Sequence, residues 1–372
     1  MKIAIYVLSW RGVKLAIQLQ KLAWPGVELE IFAHEKWFVA DVEANWHQLS
    51  FGDCLAENFS KFDAHICIMA LGIVVRHLAP LLVHKTVDPA VIVMDELGKF
   101  AISAVAGHLG GATVLTEKIA QILEAQAVIT TASDGLGRLV PDSYSQMRGW
   151  QLEYPAGLIP VNSAIVNDQD CYLYIEPDLT SAVIPWGQSY QLDYAGKTLN
   201  FRAVWPLEQW PGLEPAILMT HRLLAGDLTQ SVLIRPRNLV VGVGCKRGTS
   251  AKDILTAIYR VFQEFDLSVS SLFCLGSIDL KADEIGLLQA AEELQTEIKF
   301  VDRQAIASSD LVYTHSDFVK KTVGVGGVCE PVAMILAKRK KLIVPRQARG
   351  GITIAVAQMF IDLTGENSTL SV

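Results

Sequence analysis

The sequence has no uncharged apolar run of roughly 18 residues or more. Its nearest approach, Ile66 to Val83, is interrupted by Arg76 and His77, so no membrane span is expected. Nor does a small-residue cleavage site follow the opening run Met1-Lys-Ile-Ala-Ile-Tyr-Val-Leu-Ser. No signal peptide is expected, and a cytoplasmic location follows. None of the six cysteines stands at C-x-x-C spacing: Cys54, Cys67, Cys171, Cys245, Cys274 and Cys329 are scattered among mostly apolar neighbours. They read as reduced thiols, which argues against a disulfide framework and against a protein-held metal. A basic excess is missing too. With a formal charge of -7 and a pI near 5.7, the chain is not expected to bind nucleic acid, which calls for a basic footprint.

What is present is a globular composition, 51% hydrophobic and 19% charged over 372 residues, long enough for two or three domains. The segment 1–135 alternates strand-like and helix-like stretches. Lys2 to Leu8, Ala64 to Leu71 and Val128 to Thr131 read as strands, and Val13 to Leu22 as a helix with Leu15, Leu19 and Leu22 on one face. Val91 to Asp95 and Ala101 to Val105 read as a hairpin around Glu96-Leu-Gly-Lys99. Between 136 and 236 the texture changes, with prolines and tryptophans concentrated (Trp150, Trp186, Trp205 and Trp210 among them). A smaller middle domain is expected there, with a strand at Tyr172 to Ile175 and helical periodicity only near Ala216 to Leu224. The segment 237–372 returns to α/β texture. Leu239 to Gly244, Leu272 to Ile278, Lys299 to Val301, Gly324 to Cys329 and Leu342 to Pro345 read as strand-like, and Ile254, Ile258, Val261, Phe262 and Phe265 form the buried face of a helix behind a Ser250/Asp253 cap. Ala333 to Ala337 reads as a further helix, and the tail after Gly365 as frayed. The fold class is thus α/β: two α/β domains with mostly parallel sheets plus a smaller Pro/Trp-rich middle domain.

Two strands lead into glycine turns. Phe100-Ala-Ile-Ser-Ala-Val-Ala-Gly-His-Leu-Gly-Gly-Ala112 joins a strand to the helical stripe Ala112, Leu115, Ile119, Ile122 and Leu123. Without Cβ at Gly107, Gly110 and Gly111, the backbone can take positive φ and a ligand can approach main-chain N–H groups. A strand, a glycine turn and a helix N-terminus favour an anion, although neither a Walker lysine nor a dinucleotide fingerprint is present. A tight connection carrying a surface histidine fits the same residues. Gly242-Val-Gly-Cys-Lys-Arg-Gly-Thr249 repeats the pattern. Lys338, Arg339, Lys340, Lys341, Arg346 and Arg349 crowd one short region, as a solvated helix end or as a carboxylate or phosphate clamp.

An ordered set of motifs goes beyond generic α/β. Gly72-Ile-Val-Val-Arg76 with Leu78-Ala-Pro80, then Lys85-Thr-Val-Asp-Pro89 and Gly107-His-Leu-Gly-Gly111, resemble the N-terminal part of the cobalt-precorrin-5A hydrolase family, the cobalamin biosynthesis G proteins of the anaerobic vitamin B12 pathway. Gly242 to Thr249, Ser277-Ile-Asp-Leu-Lys281 with Asp283-Glu284, and Gly324-Val-Gly-Gly-Val-Cys-Glu-Pro331 are similar to its other signature stretches, in order. The resemblance covers about residues 65 to 135 and 238 to 360. It implies an enzyme that opens the δ-lactone of the tetrapyrrole cobalt-precorrin-5A and releases acetaldehyde, giving cobalt-precorrin-5B. No protein-bound cofactor is implied, because the cobalt arrives inside the substrate. Neighbouring pathway enzymes are conceivable partners, and self-association stays open.

Such a reaction needs a base for water and donors for an oxyanion. His108 is a candidate base because imidazole titrates near neutral pH. Glu330 is another, though a carboxylate beside Pro331 also suits a helix N-terminus. The acid-base cluster Asp279, Lys281, Asp283 and Glu284 could act as a pair or merely as a solvated cap. Substrate carboxylates would be met by Arg76, Lys246, Arg247, Lys281 and Arg346, with Gly107, Gly110, Gly111 and Gly244 allowing close approach. Two other readings remain: a non-catalytic tetrapyrrole-binding protein, and an enzyme of a phosphate or nucleotide ligand held at the two turns.

Overall fold

The computed structural model describes residues 1–364 except 22, 23, 25, 40, 41, 85, 86, 108 and 109. Leu22, Lys85, Thr86, His108, Leu109 and the tail from Gly365 therefore lie outside the described residues. The chain divides into two compact units, Met1–Arg138 and Leu139–Val372.

In the first unit the order is β1 (Lys2–Val7), α1 (Trp10–Lys21), β2 (Glu28–His34), β3 (Asn45–His47), α2 (Phe51–Asn58), β4 (Ala64–Ile68), α3 (Leu71–Leu78), β5 (Ala90–Met94), β6 (Phe100–Val105), α4 (Ala112–Leu123), β7 (Gln126–Val128) and the short α5 (Ala132–Gly135). Seven strands form one sheet in the order β3-β2-β1-β4-β5-β6-β7. β1 to β5 run parallel, and the expected hairpin reverses β6 against β5. Asp95 closes that hairpin, its carboxylate accepting from the N–H groups of Lys99 (2.8 Å) and Phe100 (2.7 Å), as Asx turns do. One face is covered by Val13, Leu15, Ala16 and Leu19 of α1 with Leu115, Ile119 and Ala120 of α4. The other packs Phe51, Cys54 and Leu55 of α2 and Val74 and Leu78 of α3. Burying each large apolar side chain contributes about 1.5–3 kcal/mol. β2, β3 and α2 were not anticipated, and the strand expected at Val128 to Thr131 ends at Val128, leaving Thr131 to precede α5.

The second unit begins with α6 (Pro141–Met147), β8 (Gln151–Glu153), α7 (Leu158–Val166), β9 (Tyr172–Ile175), β10 (Tyr190–Tyr194), β11 (Lys197–Phe201), β12 (Ala203–Pro206), β13 (Ala216–Met219) and β14 (Ser231–Arg235). Their five-stranded sheet, β12-β9-β13-β14-β8, is parallel apart from β8. The helical reading near Ala216 is corrected: these residues form β13, buried at all four positions between β9 and β14, and a fully buried strand carries no period-2 signal. The rest comprises β15 (Leu239–Gly244), α8 (Ala251–Glu264), β16 (Leu272–Ile278), α9 (Ile285–Glu293), β17 (Glu297–Val301), α10 (Arg303–Ala307), α11 (Asp317–Val323), α12 (Cys329–Ala337), β18 (Leu342–Arg349) and β19 (Ile352–Gln358). The sheet order is β17-β16-β15-β19-β18. β15, β16 and β17 are parallel, while β19, unforeseen, lies antiparallel between β15 and β18. Gly324 to Cys329 is no strand. Gly324 ends α11 with φ 85°, and Cys329 already opens α12.

Candidate active site

In the first unit the glycine turn follows β6, and because β6 is reversed it sits where β5 begins. A Cβ on Gly110 would lie 3.3 Å from Ala90 N and 2.5 Å from Ala106 Cβ, so only glycine fits. Gly111, at φ 82°, is the N-cap of α4 and has no side-chain cap. Ala112 and Thr113 donate N–H bonds back to the carbonyls of Ala106 (3.2 Å) and Gly107 (3.0 Å), which folds the turn against the helix start. Around Gly107 three hydroxyls converge: its absent Cβ would be 3.0 Å from Thr113 Oγ1, 3.5 Å from Thr131 Oγ1 and 3.7 Å from Ser103 Oγ. Sequence reasoning missed all three. The signal was a threonine in the first turn of α4 and another just after β7. Arg76 is exposed in the last turn of α3, a helix that returns from the end of β4 toward the start of β5.

In the second unit Gly244, Lys246, Arg247, Lys281, Glu330 and Arg346 gather around one edge of the C-terminal sheet. β15 ends at Gly244 beside Thr353 of β19, whose Oγ1 donates to the Gly244 carbonyl at 3.2 Å. A Cβ on Gly244 would meet that same oxygen at 2.5 Å. Lys281, buried, donates to Glu284 Oε1 (3.1 Å), while Glu284 Oε2 accepts the Gly248 N–H (3.0 Å) and Arg247 lies 3.4 Å from Oε1. Burial pushes the Glu284 carboxyl up, but the Gly248 N–H, Lys281 and Arg247 together outweigh it and hold the group below its ordinary value. Arg247 also pairs with Asp283 at 3.1 Å. Arg247, Gly248, Asp283 and Glu284, with Thr249, Ser250 and Gly286, line a cavity of about 340 Å³. Asp279 pairs instead with Arg303 (2.9 Å).

Glu330, 4% exposed, accepts from Thr314 N (2.6 Å) and Arg346 N (2.9 Å). Both oxygens of this carboxylate therefore tie backbone to α12. The glycines before it serve the same packing, since a Cβ on Gly326 would strike the His315 ring at 2.4 Å. Most of the basic run is engaged internally: Lys340 with Asp310, Lys341 with Asp178, Arg349 with Glu264, and Arg339 over the Phe360 ring. Burial raises every cysteine thiol, Cys54 and Cys329 to about 11 and Cys171 and Cys274 to about 12, Cys67 further still, with Cys245 up as well. None supplies a thiolate near neutral pH. Among the described residues no group of three or more His, Cys, Asp or Glu side chains is placed to hold a metal ion, and no helix is long and apolar enough to cross a membrane.

Residues 53–134 match the family model described as Cobalamin synthesis G N-terminal, and 239–357 that of Cobalamin synthesis G C-terminus. Over 361 residues the chain is 33% identical to the cobalt-precorrin-5A hydrolase of Priestia megaterium, covering 95% of this chain and 94% of that protein. Identity to the cobalt-precorrin-5A hydrolase of Salmonella typhimurium is 32% over 361 residues, 95% of this chain and 97% of that one. Protein CobE of a Sinorhizobium species aligns over 121 residues at 29% identity, 32% of this chain and 79% of CobE. Similarity of that extent to whole relatives, with both segments matched in order, shows that the chain belongs to the cobalamin synthesis G family, the cobalt-precorrin-5A hydrolases.

Proposed function

We propose that this protein hydrolyses the δ-lactone of cobalt-precorrin-5A and releases the two-carbon fragment as acetaldehyde, leaving cobalt-precorrin-5B. The observation that carries this is identity of 33% across 95% of the chain and 94% of a curated hydrolase. In this hydrolysis water is the nucleophile. Its oxygen adds to the lactone carbonyl carbon as a base takes its proton, the carbonyl π pair moves onto oxygen, and collapse breaks the ring C–O bond. The freed hydroxyl then yields its proton while the bond to the two-carbon unit breaks. That electron pair enters the conjugated, cobalt-bearing macrocycle, so cobalt is cargo and no resident cofactor is required.

Within this reading His108, placed by the sequence between Gly107 and Gly110, is the base. Glu330 is a holding residue, a role supported by its two backbone partners. Exposed Arg76, Lys246 and Arg346 meet peripheral carboxylates. Neighbouring pathway enzymes in the cytoplasm deliver and receive the labile intermediate. The phosphate reading is not favoured, since Glu284 already accepts the Gly248 N–H that a phosphate at the start of α8 would use. Incubating the purified chain with cobalt-precorrin-5A and following acetaldehyde tests the proposal; a bound macrocycle recovered unchanged would instead support a carrier.

A further inference from the structure

Residues 309–316, the link from α10 to α11, hold an imidazole in a built seat. Tyr313 packs on the cluster of Ile278, Val301, Ile306, Val325 and Val332, whose first two members end β16 and β17. It therefore stands at the carboxyl edge of parallel strands, where open α/β sheets take their ligands. His315 stacks on Tyr313, ring centroids 4.6 Å apart and planes 10° from parallel. A Cβ on Gly326 would lie 3.0, 2.4 and 2.9 Å from Cγ, Nδ1 and Cε1 of His315, so one ring edge rests on that glycine and Nε2 lies on the edge turned away. The backbone on either side is tied as well: the Ser316 N–H donates to the Gly326 carbonyl (2.8 Å) and the Thr314 N–H to the buried Glu330 carboxylate (2.6 Å). Yet His315 itself is exposed, and among the described residues neither ring nitrogen has a hydrogen-bond or ion-pair partner. A ring fixed this closely, with its nitrogens free, is held for something outside the chain.

Its surroundings match a cobalt macrocycle. Val312 (92% exposed) and Phe318 (76% exposed) present bare apolar surface before and after it in the chain, suited to the flat face of a ring system. The other oxygen of Glu330 accepts the N–H of exposed Arg346 (2.9 Å), so a single buried carboxylate holds the imidazole's segment and a cation fit for a carboxylate on the macrocycle's rim. No carboxylate backs His315 as one backs the histidine of a catalytic triad. A free imidazole nitrogen suits a metal instead, neutral histidine being the commonest metal ligand. We propose that His315 is an axial ligand of the substrate's cobalt and that the surface around it seats the macrocycle. This rests on cobalt-precorrin-5A being the substrate. The Nε2 lone pair forms the Co–N bond, any water on that face of the metal leaves, the proton stays on Nδ1, and no electron changes hands.

Electron paramagnetic resonance of cobalt(II)-precorrin-5A, frozen anaerobically with the purified protein, tests this, with acetaldehyde measured on the same samples after thawing. The unpaired electron of low-spin cobalt(II) lies along the axial direction, so a coordinated ¹⁴N splits each cobalt line into a triplet. Wild type should show the triplet, and protein carrying ¹⁵N-histidine a doublet. His315→Ala should show neither, should bind the substrate at least about tenfold more weakly, and should keep its Tm because the ring is exposed. Gly326→Ala leaves the imidazole in the chain but puts a methyl group where its edge rests, and should lose the splitting too. Splitting absent from the wild type, or retained in His315→Ala, overturns the proposal. Acetaldehyde released without nitrogen splitting removes the axial histidine and leaves the hydrolase reading standing. A triplet without acetaldehyde removes the hydrolase reading and keeps His315 as the grip on a carried macrocycle.

Discussion

Two buried histidines make the fold sensitive to acid. His65 is fully buried, with Nε2 3.0 Å from the Phe59 carbonyl and Nδ1 3.3 Å from Tyr6 Oη. The neutral ring satisfies both, donating at Nε2 and accepting at Nδ1, and burial pushes its pKa down to about 4. His221, at 1% exposure, has neither ring nitrogen bonded. Burial again brings it to about 4, with Arg222 and Arg235 adding and Glu176 opposing. A histidine depressed on folding binds more protons unfolded, so its stabilisation is complete above the unfolded value near 6.5 and is lost as pH falls toward 4. Urea unfolding should show each histidine removing roughly 2 kcal/mol between pH 7 and pH 5. His221→Leu forfeits no hydrogen bond and should remove its own share, about half of the combined loss. An unchanged pH slope in this variant would show that His221 is already charged in the folded protein.

Close approach between elements explains several of the glycines. A Cβ on Gly242 would lie 1.9 Å from the Cys329 carbonyl oxygen and 3.1 Å from Ala333 N, so β15 and α12 touch through that position. Gly286 likewise meets Thr249 O at 2.0 Å, setting α9 against the start of α8. Gly72 is different: it lies in α3 with open space around it. Thermal unfolding should find Gly242→Ala destabilised by about 3 kcal/mol or more, because backbone cannot yield as a side chain can. Gly72→Ala should gain about 0.5–1 kcal/mol; equal effects would remove the packing account. Elements with a clear apolar stripe or cap, such as α1, α4 and α8, were legible in the sequence. The run Ile352-Thr-Ile-Ala-Val-Ala-Gln358 was not, since an interior strand packed on both faces has no alternation to show. The glycine turn was legible as a turn. The edge it occupies was not, because that depends on the reversal of β6, and the hydroxyls that ring Gly107 come together only in three dimensions.

At the scale of the whole molecule, charge decides how an acidic chain meets a polycarboxylate. The net charge is -7, and most of the clustered cations near residue 340 already hold internal carboxylates. Among the described residues Arg76, Lys246 and Arg346 are exposed and outside the ion pairs. Substrate capture through these few charges should weaken with salt, KM rising severalfold between low and high ionic strength while kcat holds. Arg346→Gln should reduce that dependence, and a KM insensitive to salt would contradict the assignment. All of this depends on the hydrolysis itself. Its most direct test is turnover of cobalt-precorrin-5A by the purified chain in ¹⁸O-water, with acetaldehyde quantified and the macrocycle examined by mass spectrometry. Hydrolysis should give acetaldehyde equal in amount to the macrocycle consumed, with a single solvent oxygen in the macrocycle's new carboxylate. Unlabelled macrocycle returned intact, with no acetaldehyde, would contradict it.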